Sequence, residues 1–131
     1  MNDTIINNEY YNIIMINNNI LLLDIIKKTK DKNKINEFHN LILSFCNKQN
    51  INLIFNISKI KFNLKNIIDE KKFFMNLPKK NINAFAIIIK SKILKIIITP
   101  FLKKNNIPTK IFNNLEKAKD FIKLINNIKK F

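Results

Sequence analysis

Two apolar runs near the start of the chain, Tyr10–Ile16 and Ile20–Ile26, are separated by Asn17-Asn18-Asn19. Both are rich in β-branched residues, and asparagine tolerates the left-handed turn conformation, so the pair predicts a β-hairpin. Residues 1–8 carry no comparable pattern and are expected to fray. After the charged linker "KTKDKNK", Ile35, Phe38, Ile42, Phe45 and Cys46 recur at spacings of three and four. That period is one face of a helix, with Asp31 or Asn33 as its cap. "INLIFNI" predicts a short buried strand, and a second helix is expected from about Leu64 to Leu77, stopped by Pro78. "AFAIIIK" is unbroken in its apolarity, the pattern of a strand covered on both faces. "SKILKIIITPFLKK" reads as a helix capped by Ser91, with a kink or break expected near Thr99 because Pro100 follows. The chain closes with a strand over Ile107–Phe112, an Asn113 cap paired with Glu116, and a helix face of Leu115, Ala118, Ile122 and Ile125. The predicted order is β-β-α-β-α-β-α-β-α. It describes one α/β domain over residues 9–128, a mixed central sheet with covering helices.

Composition changes this picture in three respects. The chain has 131 residues and contains no glycine, so turns that need a positive φ must use asparagine. Its net charge is +15, and all 24 basic residues are lysine. Such a charge suggests nucleic acid or an anionic membrane as partner, through Lys71-Lys72, Lys79-Lys80 and Lys103-Lys104. The missing arginine, the residue suited to phosphate forks and base edges, argues for the rival explanation, codon bias toward Ile, Asn, Lys and Phe. Cys46 is the single cysteine, so no disulfide framework exists and a reducing compartment is expected. No basic segment followed by an apolar stretch opens the chain, and no apolar run approaches the ~18 residues of a spanning helix. The expected setting is cytoplasmic.

The chemistry of the side chains points away from catalysis. Glycine-rich phosphate loops are excluded by composition. His39 and Cys46, seven residues apart, lie about 10 Å apart along a helix, too far to form a nucleophile–base pair. One histidine and one cysteine do not make a zinc site. Asp69 and Glu70 are adjacent on a predicted helix and point in different directions. Tyr10 and Tyr11 are the only exposed-looking stacking candidates, too few for a nucleic-acid platform. No catalytic residue, metal ligand or cofactor is expected.

"AFAIIIKSKILKIIITPFLK", "IPTKIF" and "NNLEKAKDFI" together resemble the C-terminal half of small bacterial STAS-like domains, the SpoIIAA-like or STAS/SEC14 group. Ala84, Ala86, Ser91, Phe101, Lys104, Pro108, Thr109, Lys110, Phe112, Ala118, Phe121 and Ile122 fall in comparable places. "INLIFNISKIKF" resembles an upstream strand of that family and its exit. The resemblance spans about residues 9–128 and is sharpest over 84–122. It implies a STAS-like single-domain fold and a non-enzymatic regulatory or protein-interaction role. The chain departs from the pattern in four places, one of them the conservative replacement of Trp-Leu by Phe121-Ile122. Asn56 stands where the family strand ends in Asp, and Lys90 replaces the Asp before Ser91. The turn that carries a phosphorylatable serine in anti-anti-sigma STAS proteins corresponds here to Phe62–Asn66, which contains no Ser or Thr.

In α/β sheets, ligands gather beyond the carboxyl ends of the strands. The candidate partner surface is therefore Asn56, Ser58, Lys61 and Lys65 together with Lys90, Ser91 and Lys92, facing a protein partner. A basic nucleic-acid- or ribosome-associated protein and a peripheral binder of anionic membranes are the alternatives.

Overall fold

The structure is a computed structural model that describes residues 2–17, 19–27, 31–48, 50–60, 81–102 and 107–129. Among these residues six strands form one mixed sheet: β1 (Asn2–Asn7), β2 (Tyr11–Ile16), β3 (Ile20–Ile25), β4 (Ile51–Asn56), β5 (Ile82–Ile88) and β6 (Thr109–Phe112). They lie side by side in chain order. The first three pair antiparallel and β3 through β6 pair parallel. Among the described residues three helices accompany them: α1 (Lys32–Lys48), α2 (Lys92–Leu102) and α3 (Leu115–Lys129). The α/β class and the mixed central sheet are as the hydrophobic pattern predicts. The described order is β-β-β-α-β-β-α-β-α, and the helix expected over 64–77 lies outside the described residues.

The hairpin between β2 and β3 forms where the asparagine run predicts it, and Asn17 takes a φ of 52°. Asn52 ties this turn to the next strand, because its backbone N–H and its Nδ2 both donate to the Asn19 carbonyl at 3.0 Å. The first residues correct the expectation of a frayed end. Asn2–Asn7 pairs with β2 as an edge strand, with a bulge between Thr4 and Ile6. Pairing there is carried by the backbone, which needs no apolar pattern. Ile5 and Ile6 rest on the core while Asn2, Asp3 and Thr4 stay exposed. A charged, bulged edge also resists pairing with other chains.

The sheet separates two apolar layers. On one face, Ile13, Leu21, Leu23, Leu53, Phe55 and Ile87 pack with Phe38, Ile42 and Cys46 of α1 and Leu94 of α2. On the other, Ile54, Ala84, Ala86 and Ile88 pack with Ala118 and Ile122 of α3. Tyr11 belongs to the first layer, not to an exposed stacking surface. The residue is 4% exposed and its ring centroid lies 4.8 Å from that of Phe38. The β-strand period decides this, since Tyr11 shares a face with Ile13 and Met15.

Helix caps follow the sequence with one shift. Asp31 accepts from the Asn33 N–H at 2.9 Å at the start of α1, and Ser91 Oγ accepts from the Leu94 N–H at 3.2 Å at the start of α2. The α3 cap is Asn114, whose Oδ1 accepts from the Lys117 N–H at 2.9 Å. The expected Asn113–Glu116 box is thus displaced by one residue. Glu116 instead lies 3.9 Å from Lys119. Of the kink or break expected near Thr99, the break does not occur, because α2 runs through Pro100 to Leu102. Pro100 stands near the described end of α2, where the hydrogen bond to the Ile96 carbonyl is forgone.

Candidate functional site

Because β3 to β6 run parallel, their carboxyl ends share one edge of the sheet. The register aligns Asp24 with Asn56, Asn56 with Ile88, and Ile88 with Phe112. On the antiparallel side Asn12 pairs with Asp24. Residues in one register row point to the same face, so Asn12, Asp24 and Asn56 form a polar row next to the apolar pair Ile88 and Phe112.

Each member has a distinct environment. Asn56 Oδ1 accepts from both the N–H and the Oγ of Ser58, at 3.1 and 2.7 Å, closing a tight turn at the end of β4. The following Ile57 N–H still reaches the Ile88 carbonyl at 3.1 Å, so the turn is fixed to β5. Lys59 then projects back over the row, with its Nζ 3.1 Å from Asp24 Oδ2. The lysine side chain is 54% exposed and the aspartate side chain 14%. Such a half-open pair contributes little to stability, since solvent screens the lysine. Asn12 Oδ1 and Asp24 Oδ1 are buried and have no hydrogen-bond partner among the described residues. Buried acceptors are normally paired, and departures from that rule concentrate at functional or strained sites.

The residues singled out by sequence divide into three groups. Asn56 and Ser58 are joined in the turn just described. Lys90, Ser91 and Lys92 follow β5 on the same edge and are exposed, with Ser91 engaged as the α2 cap. Lys61 and Lys65 lie outside the described residues, as do Lys71-Lys72, Lys79-Lys80 and Lys103-Lys104. Asn12, Asp24 and Lys59 complete the edge and were not apparent from the chain. The available signal was the interruption of two apolar strands by single polar residues, "YYNIIMI" and "ILLLDII", at positions that a hairpin would bring opposite each other.

The remaining reactive side chains lie on α1. Cys46 is fully buried, and burial pushes its thiol up to about 11 from 9.0, so it stays protonated at neutral pH. Burial lowers the pKa of His39 below its ordinary 6.5. The charged form is thus disfavoured in the folded state, and the unfolded chain binds the proton more readily. The contribution of neutral His39 is fully present above its ordinary pKa and is lost as pH falls through 6.5 and below. Thermal unfolding should show the melting temperature falling over that interval, and His39→Gln should flatten the slope. An unchanged slope would place the pH dependence elsewhere. Among the described residues no three His, Cys, Asp or Glu side chains gather in a metal-holding group, and no helix is long and apolar enough to cross a membrane.

The sequence profile of a family described as "Domain of unknown function (DUF7793)" matches residues 14–126, from β2 to near the end of α3. No curated protein and no solved structure matches the chain.

Proposed function

The chain belongs to the DUF7793 family, and on that premise we propose that it is a STAS-like, non-enzymatic interaction module that receives a protein partner at the carboxyl edge of β3, β4 and β5. The observation that carries this reading is the row Asn12–Asp24–Asn56. It is a polar patch built by register at the end of parallel strands, with Ser58 and Lys59 folded over it and Lys90 beside it. The mixed sheet, with parallel strands from β3 to β6 and helices after β3, β5 and β6, supports the architecture that the STAS resemblance implies, and the family match covers most of the same stretch. The stretch that matches the phosphorylatable turn, Phe62–Asn66, contains no hydroxyl side chain. Partner exchange is therefore expected to proceed without phosphorylation of that turn. The reading places the protein in the cytoplasm.

The test is co-purification of a crosslinked partner with the tagged chain. Lys59→Ala combined with Lys90→Ala removes two exposed charges from the edge and leaves the core intact. The expected result is an approximately tenfold loss of one specific partner, corresponding to about 1.4 kcal/mol of binding, at an unchanged melting temperature. Full recovery of that partner by a folded double variant would remove this surface.

A further inference from the structure

Helix α2 is apolar nearly all the way round, with the sequence KILKIIITPFL. Such a helix belongs in a protein interior or in contact with lipid. Only one side of α2 is in the interior: Leu94 is buried in the first apolar layer, and Ile97, Ile98 and Leu102 pack against that layer. The opposite side faces solvent. Ile93 is 72% exposed and Ile96 73%, and Pro100 is exposed one turn further on. At spacings of three and four, these three residues form one continuous ridge. Lys92 stands one turn before Ile96 on the same ridge and is exposed, and Lys95 borders it, half-buried.

We propose that this outer face of α2 docks on an anionic lipid bilayer. Two features favour lipid over an acidic protein. The ridge is aliphatic, with lysine as its only charge and with the neighbouring exposed Thr99 hydroxyl already donating to the Lys95 carbonyl, whereas protein interfaces are enriched in aromatic residues, Met and Arg and depleted in Lys. Lysine stems lie along apolar surface while their ammonium groups reach anionic headgroups, and two protruding isoleucines then enter the acyl boundary. The net charge of +15 supplies the long-range attraction that brings the face to such a surface. α3 also exposes an apolar pair, Leu124 at 59% and Ile128 at 61%. It serves as the internal control, since it carries the same general charge on another helix.

The full chain is sedimented with phosphatidylcholine vesicles and with vesicles that also contain phosphatidylserine. The intact protein is expected to bind only the anionic vesicles, more weakly as salt rises. Ile93→Ser with Ile96→Ser should weaken that binding by roughly tenfold or more, and Lys92→Gln with Lys95→Gln should weaken it and reduce its salt dependence. Leu124→Ser with Ile128→Ser should leave it unchanged. No sedimentation of the intact chain with anionic vesicles at low salt overturns the proposal. So does binding by the isoleucine variant equal to that of the intact chain, since general charge would then suffice, or equal loss in the α3 control. Loss of a protein partner by the isoleucine variant with vesicle binding intact would make the ridge a protein interface instead. The Lys59→Ala, Lys90→Ala variant should lose much less vesicle binding than the isoleucine variant, which separates this surface from the carboxyl edge.

Discussion

Phe55→Ala is expected to destabilise the domain by about 3–5 kcal/mol. Phe55 sits in the middle of the parallel sheet, paired with Leu23 on one side and Ile87 on the other, and it is 1% exposed. Its ring belongs to the layer that β4 shares with Phe38, Ile42 and Cys46 of α1. Truncation removes the transfer free energy of the ring and also leaves a cavity. Neighbours on fixed strands cannot collapse into it, because register holds each of them at the backbone. A domain of this size is stable by only about 5–15 kcal/mol, so the variant should lose about a fifth of its stability or more. Urea unfolding is the measurement, read as a lower midpoint at an unchanged slope. Ile93→Ala, at an exposed position of α2, should stay within about 0.5 kcal/mol of the parent. A Phe55→Ala cost below about 1 kcal/mol would mean that the two-layer core is wrongly assigned.

What was legible in the chain, and what was not, has a physical division. Elements defined by side-chain period are visible. The hairpin shows in two β-branched runs around an asparagine turn, and β5 shows in its unbroken apolarity. Elements held by the backbone are hidden. β1 is polar and exposed along much of its length, and it becomes a strand only because β2 offers it a ladder. Equivalent neighbours are also indistinguishable by sequence. Asn113 and Asn114 are the same residue, and only the path of the backbone into α3 assigns the cap to Asn114.

The candidate site divides along the same line. Asn56 and Lys90 were legible as residues closing predicted strands. Asp24 was not, because a lone aspartate in an apolar run reads as an interruption. Its meaning is set by register, which places it between Asn12 and Asn56 and within 3.1 Å of a lysine 35 positions later. A loop that returns a charged side chain across two strands has no periodic signature. The exposed ridge of α2 was hidden for a related reason. Its isoleucines look like core until the sheet shows which side of the helix is already occupied.

Ala118→Leu is expected to destabilise the domain by about 1–3 kcal/mol, although it adds apolar surface to a helix and improves no solvent-exposed feature. Ala118 is fully buried in one cluster with Ala84 and Ala86, which are also fully buried, on β5. Three small side chains let α3 lie close to the strand. At that separation Ile122 reaches Ile54 and Ile88. A leucine at 118 has no volume to enter. The helix must either move away from β5, opening contacts at Ile122, or adopt a strained rotamer. Helix propensity cannot account for such a loss, since leucine is nearly as favourable as alanine. Lys117→Leu, one residue earlier and exposed, introduces the same leucine with almost no change in helix propensity and without the steric conflict, and should have little effect. Equal urea midpoints for the two variants would show that α3 does not pack on β5 through Ala118. A lower midpoint for Ala118→Leu alone would show that the last helix is fixed by close approach, and that the alanines of β5 are there to permit it.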